Sequence, residues 1–348
     1  MDLMNVIGLS LIVLLVLVLP LSVHKIEDNL EPFLLVMGAG AVTVSGAWSF
    51  DLAHEALKEP VLISLAVLVL GFAFKYTERN FRFVMLKLAR GAGLKVTIFL
   101  LVVLLGILSS LITAIIAAIM LAEAITALGL KEDARIRVAV LACFAIGMGA
   151  VLTPVGEPLS TITVAKLKGA PHYADFFYLF KKLAAWIIPG IIFTGLWAAR
   201  VKQKRASVSK QTRETESAAG IIVRGVKVYF FIAALVLLGA GLKPLAEITI
   251  LKLSAPVIYW VNSISAVLDN ATLAAIQIVP GMSASTIVFL LMGLILAGGL
   301  LVPGNIPNII SASKLGIKSK AWAKQAIPFG LFLMIVYFIL MMGALPHG

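Results

Sequence analysis

Apolar residues fall in long blocks along this chain, separated by short polar interruptions. Blocks at residues 4–23, 32–49 and 60–74 each read as one helix. No Lys or Arg precedes the first block and no clean small-residue cleavage site follows it. It therefore reads as a retained helix and not as a signal peptide. Residues 75–95 carry Lys75, Arg79, Arg82, Lys87, Arg90 and Lys95 against Glu78, with Phe81, Phe83, Val84, Leu86 and Leu88 between the charges. That mixture predicts a helix lying on a surface.

The next blocks are too long for single helices of ordinary length. Residues 96–128 contain one charge, Glu123, and one polar cluster, Ser109, Ser110 and Thr113. Two half-helices meeting at a polar tip, a re-entrant hairpin, would fit. Residues 137–167 are broken by Thr153-Pro154-Val155-Gly156-Glu157-Pro158, and two prolines with a glycine do not sit in regular helix. A span at 177–199 follows, then the one hydrophilic linker, 200–217. After it come a span at 226–242, a long run at 248–280 with Asp269-Asn270-Ala271-Thr272 inside, and a long run at 284–315. That last run is broken by Pro303-Gly304-Asn305-Ile306-Pro307-Asn308, and a span at 326–344 closes the chain.

The order span, split hairpin, broken span, Pro-bearing span thus occurs twice. The halves also match by letter. The segment from Gly156 to Leu167 lies over Gly304 to Leu315 without a gap, and Leu108 to Ala114 lies over Ile264 to Asn270. Chance similarity of apolar stretches is the competing explanation, and four features recurring in one order weigh against it. The predicted organisation is scaffold helices at 1–58, a first repeat at 59–200, a linker at 201–217 and a second repeat at 218–348. Each repeat has three true crossings, an odd number, so the second copy must be inverted. The fold class is an all-α polytopic membrane protein of about eight transmembrane helices plus two re-entrant hairpins.

Composition agrees. Of 348 residues, 61% are hydrophobic and 13% charged, with mean hydropathy +1.06. Soluble domains are about 25% charged. A soluble enzyme, a disordered chain and a nucleic-acid-binding module all fit poorly, and the expected partner is the lipid bilayer. The net charge of +12 then marks cytoplasmic loops. The loops 75–95 and 129–137, the linker and the loop holding Lys314, Lys318, Lys320 and Lys324 all fall on one side if both hairpins turn back. The loop 166–182, with four lysines, dissents. This places the chain in the cell (cytoplasmic) membrane with both termini external. The single cysteine, Cys143, cannot form an internal disulfide.

Backbone leaving a helix at membrane depth must be buried in protein or line a wet cavity. Interruptions paired between two repeats point to a secondary transporter's binding site. Only Glu157 and Asp269, of seventeen acidic residues, sit in the predicted breaks, and intramembrane carboxylates suggest function. The plainer roles are a helix cap for Asp269 and a partner for a buried cation for Glu157. Asn270, Thr272, Asn305, Asn308 and Thr153 would complete an oxygen shell, with Gly156 and Gly304 at the breaks. The asparagines could equally be plain caps. Thr113, Ser109 and Ser110 are the weakest candidates, since such residues are common in membrane helices. His24, His54, His172 and His347 are expected in loops or the tail, so no His-based metal site follows. There is no phosphate-binding G-x-x-x-x-G-K-[ST] loop. No cofactor is expected, and Na+ and H+ would be substrates. Carboxylate, amide and hydroxyl oxygens suit a hard cation.

At these residues the sequence resembles the ion transporter superfamily, which includes NhaD-type sodium/proton antiporters, arsenite transporters, citrate carriers and divalent-anion/sodium symporters. Within it, the chain is most similar to a prokaryotic family described only as candidate cation transporters. Asp269-Asn270-Ala271-Thr272 resembles the Asp-Asn hairpin motif of the NhaD type. Thr153-Pro154-Val155-Gly156 resembles the superfamily's Thr-Pro-x-Gly motif, and Gly304-Asn305-Ile306-Pro307-Asn308 its second-half counterpart. The resemblance covers about residues 95–347. It implies inverted repeats, re-entrant hairpins and a homodimer with scaffold and moving parts. The first tip has no Asn and the second has Asp, unlike the Ser-Asn-Thr tips of the symporter branch. The resulting expectation is a cation/proton antiporter, Na+ first. A Na+-coupled anion transporter is the alternative, and a non-transporting scaffold is a third reading.

Overall fold

The computed structural model describes residues 2–27, 29–202, 218–249, 253–266 and 270–346. Among these there is no β-strand. Helices α1 (Leu3–Ser22), α2 (His24–Glu27) and α3 (Leu30–Ser45) lead into α4 (Phe50–Gly91). The first repeat continues with α5 (Leu94–Ile112), α6 (Ala114–Leu128), α7 (Glu132–Ala150), α8 (Pro158–Lys166) and α9 (Tyr178–Ala198). The second comprises α10 (Ala218–Thr249), α11 (Ala255–Val261) with a 3₁₀ turn at Asn262–Ala266, α12 (Asn270–Gln277), α13 (Ala284–Gly298), α14 (Ile306–Leu315) and α15 (Ser319–Ala344).

Among the described residues, four helices are long and apolar enough to cross a membrane: α5, α9, residues 218–245 of α10, and α15. Shorter apolar helices include α6 and α13. The molecule is an all-α polytopic membrane protein. At its centre stand α7 and α13, buried on every side from 138 to 150 and from 287 to 298. A helix apolar all round belongs in such a position.

Two expectations need correction. The basic stretch 75–95 is not a separate surface helix, because α4 runs unbroken through it for 42 residues. At 1.5 Å per residue that is about 63 Å, twice a bilayer core of about 30 Å. The helix also starts at Phe50, with Pro60 inside it. His54 accordingly lies in α4 and His24 in α2, not in loops. His347 and linker residues 203–217 lie outside the described residues.

Contacts fix the direction of each helix. Gly106 of α5 faces Ala145 of α7, Ser109 bonds Ile146 O, Thr153 bonds Ser110 O, and Ala114 N bonds Gly156 O. The paired positions advance together, so α5 and α7 run in the same direction and α6 must return between them. Gly149 packs so closely on Gly106 that a Cβ there would overlap the Gly106 carbonyl. Small residues permit this approach. In contrast, α9 descends against both: Ile191 meets Gly106, Gly195 meets Val103, and Trp197 O accepts from Arg137 Nη2 at 3.0 Å.

The second half is built the same way and points the other way. Asn262 bonds Leu290 O and Ser265 bonds Leu294 O, so α11 and α13 run together. Their starting end is where α9 begins, because His172 contacts Pro280 O and Met282 O at 3.1 and 2.9 Å and also Tyr178. The first hairpin starts and finishes where α9 ends. The two hairpins therefore enter from opposite ends of the bundle, separated by the 21-residue α9. Across the halves, α6 packs on α14 and α12 on α8, the same pairing exchanged.

Candidate functional site

The first hairpin turns at Thr113, inside the polar cluster that suggested it. Thr113 has φ +73° and ψ 149°, a region nearly restricted to glycine. Its hydroxyl caps α6 by accepting Ile116 N–H at 3.4 Å. Ser109 Oγ donates to Gly106 O (2.7 Å) and Ile146 O (3.0 Å). Ser110 Oγ donates to Ile107 O at 2.8 Å. These hydroxyls tie the hairpin to itself and to α7.

The first break, 151–157, wraps around that tip. Thr153 Oγ1 donates to Ser110 O and accepts Val155 N–H, while Gly156 O accepts from Ala114. Gly156 also lies against Ala150 O with no room for a side chain. Pro158 opens α8 at its first position, where its missing N–H costs nothing. Glu157 is the buried N-cap of α8. Its side chain accepts the Ser160 N–H, and Ser160 Oγ accepts the Glu157 N–H, a reciprocal capping box. A carboxylate here also meets the positive end of the α8 dipole. Glu157 thus holds a backbone position.

The second break repeats this geometry. Asn305, aligned with Glu157, is the buried N-cap of α14. Its φ and ψ of −155° and 143° match the −158° and 162° of Glu157. Gly304 lies 2.6 Å, measured from an added Cβ, from Gly298 O, as Gly156 lies against Ala150 O. Asn308, fully buried, donates from Nδ2 to Gly298 O (2.8 Å) and Leu301 O (2.9 Å), carbonyls freed by the break. Its Oδ1 has no partner among the described residues, and neither do Asn270 Nδ2 and Asn262 Oδ1. Asn270 and Asn308 both lie beside Gly298. Asn305 reaches across to Gly147 of α7, and Cys143 of α7 contacts Pro307 O and Ser311.

The structure thus gathers Ser109, Ser110, Thr113, Thr153 and Gly156 around one tip, and Asn270, Gly304, Asn305 and Asn308 around the other break. Thr272 lies in α12. Asp269 lies outside the described residues. Among those described, no cluster of three His, Cys, Asp or Glu side chains could hold a metal.

Two residues escaped sequence reasoning. Lys166 Nζ donates to Ala275 O (2.5 Å) and Ile278 O (3.1 Å), capping the C-terminal end of α12 from the end of α8. His172, in the loop after α8, clamps the turn after α12. The only signal was the run of lysines that dissented from the charge rule. In the same loop Asp175 accepts a hydrogen bond from Lys181 of α9 at 2.7 Å, which holds its carboxyl below the usual range. A cavity of about 240 Å³ between α4, α8 and α10 is lined by Glu55, Glu59, Lys166 and Lys243.

Oppositely running helices with interruptions flanked by buried polar side chains define a polytopic membrane protein. The chain belongs to the family described as Protein of unknown function (DUF1646), whose model matches residues 6–343. No curated protein matches the sequence.

Proposed function

We propose that this protein is a secondary active transporter working by alternating access, and that it exchanges a cation, Na+ first, for protons. The carrying observation is the pair of helix breaks, capped by a buried Glu157 and a buried Asn305, the first of them bonded to its hairpin tip. Such breaks at a repeat interface are where transporters bind their substrates. Asp269 and Glu157 would be the ligands and proton acceptors, with Asn270, Thr272, Asn305, Asn308 and Thr153 supplying oxygens. The resemblance to NhaD-type antiporters supports the same reading. By loop charge, the ends of the first hairpin would face the cytoplasm and both termini the outside. A homodimer would follow from the resemblance.

The Na+-coupled anion alternative would use the N-terminus of α14, where neutral Asn305 stands in place of the acid at α8. An ion screen in proteoliposomes with an internal pH dye separates the two. A pH change on Na+, and none on organic anions, supports exchange. Uptake of an anion with Na+ and no pH change would replace that reading with the alternative.

A further inference from the structure

At the end of the bundle where α9 finishes, two arginines converge on one tryptophan. Arg137 Nη2 donates to Trp197 O at 3.0 Å, and the Arg200 guanidinium lies 4.8 Å from the centre of the Trp197 ring. Both guanidiniums are thus held at Trp197, one on its carbonyl and one on its ring. Neither has a carboxylate partner among the described residues, and Arg137 Nε is buried without a hydrogen bond. Two like charges held together without a counter-ion repel one another.

The approach to this pair is apolar. Ile192 and Leu196 lie one turn apart on one face of α9, and Arg200 follows two residues beyond its end. Ile192 and Leu196 are exposed, as lipid-facing residues are in a membrane protein. Phe332 of α15 is also exposed and stacks on Trp197 at 6.2 Å. Trp favours the interface between hydrocarbon and headgroups. The same end carries Lys95 in the first turn of α5, Lys131 just before α7 and Arg135 in its first turn, beside Glu132 and Asp133.

We infer that Arg137, Arg200 and Trp197 form a binding site for the phosphate of an anionic phospholipid, with an acyl chain lying along the Ile192–Leu196 stripe. Guanidinium forks match phosphate oxygens and form strong charge-assisted bonds. Basic pockets between helices at a membrane surface take such headgroups. The apolar stripe running into the arginines favours a lipid over free phosphate, which has nothing to place there.

The test uses the full chain in detergent and native mass spectrometry with phosphatidylglycerol and phosphatidylcholine of matched chains. Wild type is expected to retain phosphatidylglycerol roughly tenfold better. Arg200→Gln, at an exposed position that does not endanger folding, should remove most of that preference. Arg137→Gln combined with Arg200→Gln should abolish it, while lysine at both positions should restore part. Equal retention of both lipids by wild type, or undiminished preference in Arg200→Gln, would overturn the inference. So would displacement of the retained lipid by inorganic phosphate at millimolar concentration, which would make the site one for the free ion.

Discussion

Thr113 shows most clearly what a single residue does here. A β-branched residue at positive φ costs on the order of 1–3 kcal/mol, and its cap returns about 1 kcal/mol. Thr113→Gly is expected to leave thermal stability equal or higher, whereas Thr113→Val, which keeps the strain and loses the cap, should lower it. Melting curves in detergent decide between them. Asn308→Ala removes the donor for Gly298 O and Leu301 O, and leaving buried carbonyls unpaired costs about 1–3 kcal/mol each. That variant should melt distinctly earlier. Glu157→Gln separates the structural role of Glu157 from its charge. Gln keeps an acceptor for the Ser160 N–H, so the fold should persist while cation transport falls by roughly tenfold or more. Unchanged transport would reduce Glu157 to a cap. The sequence made these positions visible because polar and helix-breaking residues stand out in apolar blocks. It could not show that Ser109 reaches the Ile146 carbonyl, since that depends on how close α5 comes to α7.

Among the elements, α12 depends on a distant residue. It has eight residues, too few to be stable alone, and Lys166 caps its far end from the other repeat. Lys166→Met should speed amide exchange over 270–277 and leave α5 unchanged. Equal protection in the variant would show that packing on α8 suffices. Helix ends and breaks were legible from prolines, glycines and block lengths, and the gapless match of 156–167 with 304–315 foretold two equivalent caps. The long α4 was not legible. Charge density at 75–95 reads locally as a surface helix, and nothing local says that the helix before it continues. The bridge of Lys166 to α12 was equally hidden, because it joins residues 109 positions apart.

Across the molecule, the helices of the two hairpins run in opposite directions and the interrupted helices α7 and α13 pack together. Cysteine labelling tests the directions, because the native Cys143 is buried and should stay silent. Cysteines placed at the exposed positions Lys95 and Lys131 should be reached from the same side of the membrane, and one placed at Gly281 from the other. Labelling of 95 and 131 from opposite sides would make the first hairpin a crossing and end the inverted arrangement. The central claim is that the gathered breaks exchange a cation for protons, and it is tested most directly by one measurement. Purified protein in liposomes, given an inward Na+ gradient, should raise the internal pH. Asp269→Asn, at matched protein levels, should not, because Asn caps a helix about as well as Asp but cannot titrate. Wild-type exchange by Asp269→Asn would contradict the assignment of Asp269, and no pH change in wild type with Na+, Li+ or K+ would contradict exchange itself.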